Sequence, residues 1–153
     1  DYYFDTPTDA VTLDQKGCHY TPHVFGVRAG QPIEIVNSDP TLHNVNAMAK
    51  VNQAFNLGQA IQGMKTQKVF TTPEVMVRIK CDVHGWMNAY AGVLNHPYFA
   101  VTANAGAFEL KGLPPGTYAI EAWHEKLGTQ TQSVTIGAKE TKAISFAFQA
   151  TAS

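Results

Sequence analysis

The seven residues Cys81-Asp82-Val83-His84-Gly85-Trp86-Met87 bring a thiol, an imidazole and a thioether into one short stretch. All three are soft or borderline metal ligands. A thiolate, two imidazoles and a long, weak thioether form the donor set of an electron-transfer copper site. The stretch holds one imidazole, so such a site needs a second histidine from elsewhere. His43 is the best candidate, because it follows the Ser38-Asp39-Pro40 turn signal and opens an extended segment. Beside it, Asn44 carries an amide able to tie that segment to the Cys81 stretch. Bonds of this kind orient a ligand and tune a metal.

These donors need strands to hold them. In Glu74-Val75-Met76-Val77-Arg78-Ile79-Lys80 the alternation predicts a strand with Val75, Val77 and Ile79 inward and Cys81 next on the same face. After the ligand stretch, Ala89, Ala91 and Val93 alternate in another strand. Upstream, strands are expected at Val11–Leu13, at Cys18–Val27 with a break at Pro22, at Pro32–Val36 and from His43 to Ala47. Asp14-Gln15-Lys16-Gly17, Arg28-Ala29-Gly30-Gln31 and Asn37-Ser38-Asp39-Pro40 read as turns. Residues 48–63 have no clean period and predict a long loop with at most one helical turn. Thr66–Phe70 is a further strand. Beyond Asn95 short strands are expected at Tyr98–Thr102, Phe108–Leu110, Thr117–Trp123, Val134–Ile136 and Ala143–Phe148, with Leu113-Pro114-Pro115-Gly116 as a rigid turn. Short strands spaced by turn residues predict an all-β sandwich.

Composition narrows the function. The 153 residues carry a net charge of -1 with 15% charged, and no Lys/Arg run is available to neutralise phosphates, which argues against nucleic acid. No apolar run approaches the length of a membrane span. No nucleophile-plus-base motif and no phosphate loop is visible, and Asp82 and Glu125 do not form a convincing acid–base pair. The expectation is a protein that is not an enzyme.

The order of these segments resembles the cupredoxins of the plastocyanin–amicyanin type. Val36 to Val45 resembles their first ligand region, Tyr20-Thr21-Pro22 and Val27 to Pro32 the strands before it, and Cys81-x-x-His84-x-x-Met87 their short ligand loop. The resemblance covers roughly residues 18 to 94. It implies a Greek-key β-sandwich and one type 1 copper ion on His43, Cys81 and His84, with Met87 as the axial ligand. It further implies a soluble carrier of one electron between redox partner proteins, periplasmic or secreted, although no signal peptide precedes Asp1. Residues 106–118 and the strands after them resemble the later part of the carboxypeptidase-regulatory-like β-sandwich module. The expected division is therefore a copper domain at 1–94 and a C-terminal β extension at 95–153, packed on the first.

Some residues depart from the pattern. Gly85 stands where many cupredoxins have proline, Trp86 is bulky, and Cys18 is a second cysteine. Several other readings stay open. A Cys18–Cys81 disulfide would close a loop of about 60 residues, worth roughly 4 kcal/mol, and would make the chain a structural β module. A binuclear copper site would use Cys18 as a ligand. Copper binding or delivery without electron transfer would use the same donors. His43 could be a turn histidine bonded to backbone, Met87 a core residue and Cys18 a buried small hydrophobe. His23 reads as an edge residue and a reserve ligand. His19, His96 and His124 show no partner pattern.

Overall fold

The computed structural model describes residues 3–149 and divides by internal contacts into two units, Asp1–Glu109 and Leu110–Ser153. No helix occurs among the described residues. Unit 1 contains β1 (Val11–Lys16), β2 (His19–Thr21), β3 (Val24–Arg28), β4 (Pro32–Asn37), β5 (His43–Met48), β6 (Phe55–Gln59), β7 (Lys65–Val69), β8 (Glu74–Lys80) and β9 (Asn88–Leu94). They form two sheets, β2-β1-β4-β7 and β3-β9-β8-β5-β6. Two pairings are parallel, β1 with β4 and β3 with β9; the rest are antiparallel. Alternate residues of the strands are buried, so Leu13, Ile33, Ile35, Val45, Ala47, Val77, Ile79, Ala89, Ala91 and Val93 make one core. Removing a Leu or Ile side chain from water contributes about 1.5–3 kcal/mol each, so this core carries the fold.

Local backbone chemistry decides where the strands turn. β1 runs on through Lys16, past the turn expected at 14–17. Gln15 is fully buried and donates to Gln59 Oε1 at 2.6 Å and to the Val36 carbonyl at 3.1 Å. The turn falls one step later. Lys16 pairs with His19, and Gly17 and Cys18 between them have φ of 63° and 56°. Two central residues with positive φ make the tight hairpin turn that matches the twist of the flanking strands. Glycine takes that geometry freely, whereas a side chain there costs about 1–2 kcal/mol.

Three further expectations are corrected between residues 48 and 110. Residues 48–63 are not a featureless loop, since β6 pairs antiparallel with β5 from His43↔Gln59 to Ala47↔Phe55. Polar Asn56 and Gly58 hid its period; they face outward on this strand while Gln59 goes in. Val75 does not face the core and is 70% exposed. A register shift between Glu74 and Val77, with Met76 at φ 59°, turns the strand there, and the Glu74 side chain is buried instead. Strands are absent at 98–102 and 108–110. A turn closes instead around Asn104, with Ala103 N donating to Ala107 O and Gly106 N to Ala103 O. Gly26 in β3 faces the Phe99 ring so closely that a Cβ there would overlap it.

Unit 2 is built on one hairpin, β10 (Gly116–His124) with β11 (Gly128–Ile136), in register from Gly116↔Ile136 to His124↔Gly128. The strand expected at 134–136 is the end of β11. Tyr118, Ile120 and Ala122 share one half-buried face, as the alternation predicts. Residues 143–148 are not a strand. Side-chain amides of β11 reach their carbonyls instead, Gln130 Nε2 to Ala147 O and Gln132 Nε2 to Ser145 O, both at 2.6 Å.

Candidate metal centre

β5 and β8 run antiparallel with Asn46 opposite Lys80. The start of β5, at His43, therefore lies beside the end of β8, where Cys81 follows. The loop between β8 and β9 is closed by main-chain bonds, Met87 N to His84 O at 3.0 Å and Cys81 N to Met87 O at 3.2 Å. This closure sets the side chains of Cys81, His84 and Met87 before any metal is considered. The opposite loop is shaped by Asn37, which is fully buried. Its Nδ2 donates to the carbonyls of Thr41 and Gln59, and its Oδ1 accepts from Asp39 N.

His43 is fully buried, and its two ring nitrogens have separate tasks. Nε2 lies 2.7 Å from Asp39 Oδ2, and Nδ1 lies 3.2 Å from His84 Nδ1. A carboxylate accepts, so Nε2 carries the hydrogen and Nδ1 keeps its lone pair. Asp39 also accepts Gly17 N at 2.8 Å and Cys18 N at 2.9 Å. Burial pushes its carboxyl up, but the bonds from Cys18, His43 and Gly17 outweigh it and hold the carboxyl at about 2. Asp39 is thus an anion that fixes one imidazole and one turn together.

Cys81 is buried, with its Sγ 3.8 Å from His84 Nδ1. Two donors to one ion, at the bond lengths of about 2.0 Å to nitrogen and 2.3 Å to thiolate found in zinc sites, lie roughly 3.2–3.5 Å apart for two nitrogens and roughly 3.4–3.7 Å for nitrogen and sulfur, at angles near 105–120°. The separations of 3.2 and 3.8 Å are close to those of two donors sharing one cation, for His84 with His43 and for His84 with Cys81. Met87 is buried at the end of the same loop. Of the four residues the sequence singles out, His84 lies close to both His43 and Cys81, and Met87 is buried at the loop's close.

Around these donors the side chains interlock. Asn44 Oδ1 accepts Asp82 N at 2.5 Å, and its Nδ2 donates to Asp82 Oδ2 at 2.9 Å, which is the tie between the two ligand segments that the sequence suggested. Asn56 Nδ2 also reaches Asp82, at 3.1 Å. Bonds from Asn44 and Asn56 lower the Asp82 carboxyl. Tyr20 donates to Asn44 O at 2.6 Å. Its phenol is held well above the ordinary range, first by burial and then by the Cys81 and Asp82 charges. The Trp86 ring lies 5.2 Å from the His84 ring, is 61% exposed, and donates its indole N–H to Cys18 O at 2.8 Å.

Sequence reasoning missed one neighbour of these donors. Asp39 read only as a turn residue, although an acid four positions before a candidate ligand histidine is a usable signal. Cys18 stayed open as a small hydrophobe, a disulfide partner or a ligand of a binuclear site. Both cysteines are free thiols, and the ligand atoms of Cys18, His43 and His84 lie within 4.8 Å of one another. His23 stands elsewhere, with Nδ1 2.9 Å from Asn88 O and its ring 5.6 Å from Tyr90.

A family model described as polysaccharide lyase family 4, domain II, matches residues 64–144, just over half of the chain. The chain belongs to that family. This domain II match runs from β7 through β11, so it takes in the Cys81 loop and crosses the boundary between the units. No curated protein sequence matches the chain. Among solved structures, a copper-containing nitrite reductase from Thermus scotoductus is similar at a TM-score of 0.52 and 22% identity. That alignment covers 57% of this chain and 22% of the reductase. Amicyanin from Paracoccus versutus aligns at 0.49 and 22% identity, over 58% of this chain and 85% of amicyanin. A purple cupredoxin from Nitrosopumilus maritimus aligns at 0.47 and 17%, over 54% and 98%. The fold of this domain II member is a cupredoxin β-sandwich with additional C-terminal strands.

Proposed function

We propose that unit 1 binds one copper ion through His43, Cys81, His84 and Met87 and carries single electrons between redox partner proteins. The observation that carries this reading is the pair of imidazole nitrogens 3.2 Å apart beside a buried thiol, one of them kept unprotonated by Asp39. With its lone pair kept, His43 Nδ1 accepts either a hydrogen from His84 Nδ1 or a cation shared with it, and the buried thiol beside the pair suits the cation. Copper held there supplies a one-electron couple between Cu(I) and Cu(II), and thiolate, imidazole and thioether are the donors suited to it.

The chain's own groups do the rest. Asp39 keeps the His43 ring from turning, and the main-chain closure of the 81–87 loop keeps Cys81 and Met87 in place, so the donors move little when charge changes. Burial of Cys81 shields the sulfur from water. His84 is half-buried and meets the exposed Trp86, which gives electrons a short route to the surface. Leu42 and Val83, on the two ligand loops, are also exposed and give a partner an apolar footing. The protein works as a carrier rather than an enzyme, in the periplasm or outside the cell.

The test is a visible and EPR spectrum after one equivalent of Cu(II) is added to reduced protein, for the wild type and Cys81→Ser. An intense thiolate-to-copper band with a narrow copper hyperfine splitting, lost in Cys81→Ser, is the expected result. Colour that survives the substitution refutes the assignment. Stable Cu(I) binding with no reversible one-electron couple would make the protein a copper-handling one.

A further inference from the structure

Cys18 is the group the proposed copper site leaves unused. It stands 63 residues before Cys81 in the chain, on a different sheet. Even so, its sulfur, a ring nitrogen of His43 and a ring nitrogen of His84 all lie within 4.8 Å of one another. Two donors to one ion at bond lengths of about 2.0–2.3 Å are separated by at most about 4.6 Å. Three atoms no more than 4.8 Å apart have a common point within about 2.8 Å of each, so shifts of roughly 0.5–0.8 Å bring all three to bonding distance.

The placement of Cys18 is built by the same groups that build the site. Asp39 Oδ2 accepts both Cys18 N and His43 Nε2, so one oxygen positions the turn and the imidazole together. The Cys18 carbonyl accepts the Trp86 indole from the Cys81–Met87 loop. The residue is thus fastened on one side to the first ligand loop and on the other to the second. It also occupies a left-handed position, φ 56°, that glycine would fill without strain. A side chain is kept where the backbone prefers none.

From this convergence we infer that Cys18 is a second thiolate ligand of the centre, so that the metal is held by Cys18 and Cys81 as well as by His43 and His84. This rests on the copper reading above and adds a donor to it. A second thiolate makes the site softer, favouring Cu(I) and other thiophilic ions over hard cations. It also makes the β1–β2 turn, with no counterpart in the ligand loops, part of the centre.

Cobalt(II) gives a readout independent of electron transfer, because each thiolate adds its own near-ultraviolet charge-transfer intensity. Reduced wild type, Cys18→Ser, Cys18→Gly and Cys81→Ser are each titrated with Co(II). Alkylation of each cysteine by iodoacetamide is then followed by mass spectrometry, with and without metal. Cys18→Gly suits the left-handed turn and keeps the fold while removing the thiol. The expected result is a charge-transfer intensity per ion about halved in both Cys18 variants, as one of two thiolate bonds is lost. Metal should also slow alkylation of Cys18 in the wild type by at least tenfold, about the effect of a coordinated, sequestered thiolate. Unchanged intensity in both Cys18 variants, with Cys18 alkylated equally fast with and without metal, overturns the inference and leaves the copper reading standing. Wild type that binds no Co(II) and no copper overturns both.

Discussion

Asp39→Asn separates a built metal centre from a fortuitous meeting of histidines. In the native site Oδ1 accepts Gly17 N, and Oδ2 accepts Cys18 N and His43 Nε2. An asparagine has one oxygen to offer. With that oxygen toward His43 and Cys18, the amide NH2 faces the Gly17 N–H and one bond is lost. The other two fall from charge-assisted to neutral strength. Turned the other way, the NH2 faces His43 Nε2, which then becomes an acceptor, and the ring proton moves to Nδ1 where the metal belongs. Bonds to charged groups contribute about 1.5–3 kcal/mol and neutral ones about 0.5–1.5, with about 1–3 for a donor left unsatisfied. One lost and two weakened bonds give a stability loss of roughly 3–6 kcal/mol. Removing the partner of a ligand histidine typically costs about 10–100-fold in metal affinity. The assay is competition for Cu(I) against a chromophoric chelator at pH 7, beside urea denaturation of the metal-free protein. A folded Asp39→Asn protein that binds copper within twofold of wild type would show that Asp39 does not set the His43 tautomer and that the reasoning is wrong.

Other outcomes follow from single contacts. Glu74 accepts the main-chain N–H groups of Lys50, Val51 and Asn52 and the Asn52 amide, at 2.8–3.1 Å. Burial pushes its carboxyl up, but these bonds outweigh it and hold it below its ordinary 4.5. Its stabilisation is therefore full above that value and is lost as pH falls through the lowered folded value. Glu74→Gln should lose about 1.5–3 kcal/mol at pH 7 in urea denaturation, with the gap to wild type closing in acid; parallel pH profiles would contradict this. Gly26→Ala drives a methyl into the Phe99 ring and should cost about 1–3 kcal/mol. It should also speed proteolysis within residues 95–109, and an unchanged cleavage rate would count against that contact. Tyr20→Phe removes the donor to Asn44 O and should lower stability by about 1 kcal/mol; equal melting temperatures would show that water replaces the phenol.

The chain displayed its chemistry more openly than its architecture. Cys81, His84 and Met87 share one loop, and the alternation of Val77 and Ile79 into Cys81 marks the face that is buried. His43 could be found because a turn signal precedes it. The failures came where polar residues do structural work. Gln15, Gln59 and Glu74 are buried and look like surface residues in sequence, so β1 seemed too short, β6 went unseen and the phase of β8 slipped by one at its start. The place of Cys18 stays open in the sequence for a related reason. Its neighbourhood is made by a two-residue hairpin and by Asp39, partners about 20 residues away that no local pattern announces. In the C-terminal segment, alternation at 143–148 promised a strand, yet side-chain amides of Gln130 and Gln132 satisfy its carbonyls without a backbone ladder.

The last strand of unit 1 to leave the ribosome is an inner one. β9 lies between β3 and β8, and its parallel partner β3 was made more than 60 residues earlier. Until Leu94 has emerged, β3 has no neighbour and the 81–87 loop has no second anchor. A nascent chain carries Cys18 and His43 well before the 81–87 loop and the strand that closes it. On the proposed ligand set, metal capture is thereby tied to completion of the fold, and a fragment ending before β9 would be an unclosed sheet rather than a smaller copy of the centre. Such distant pairing also slows folding.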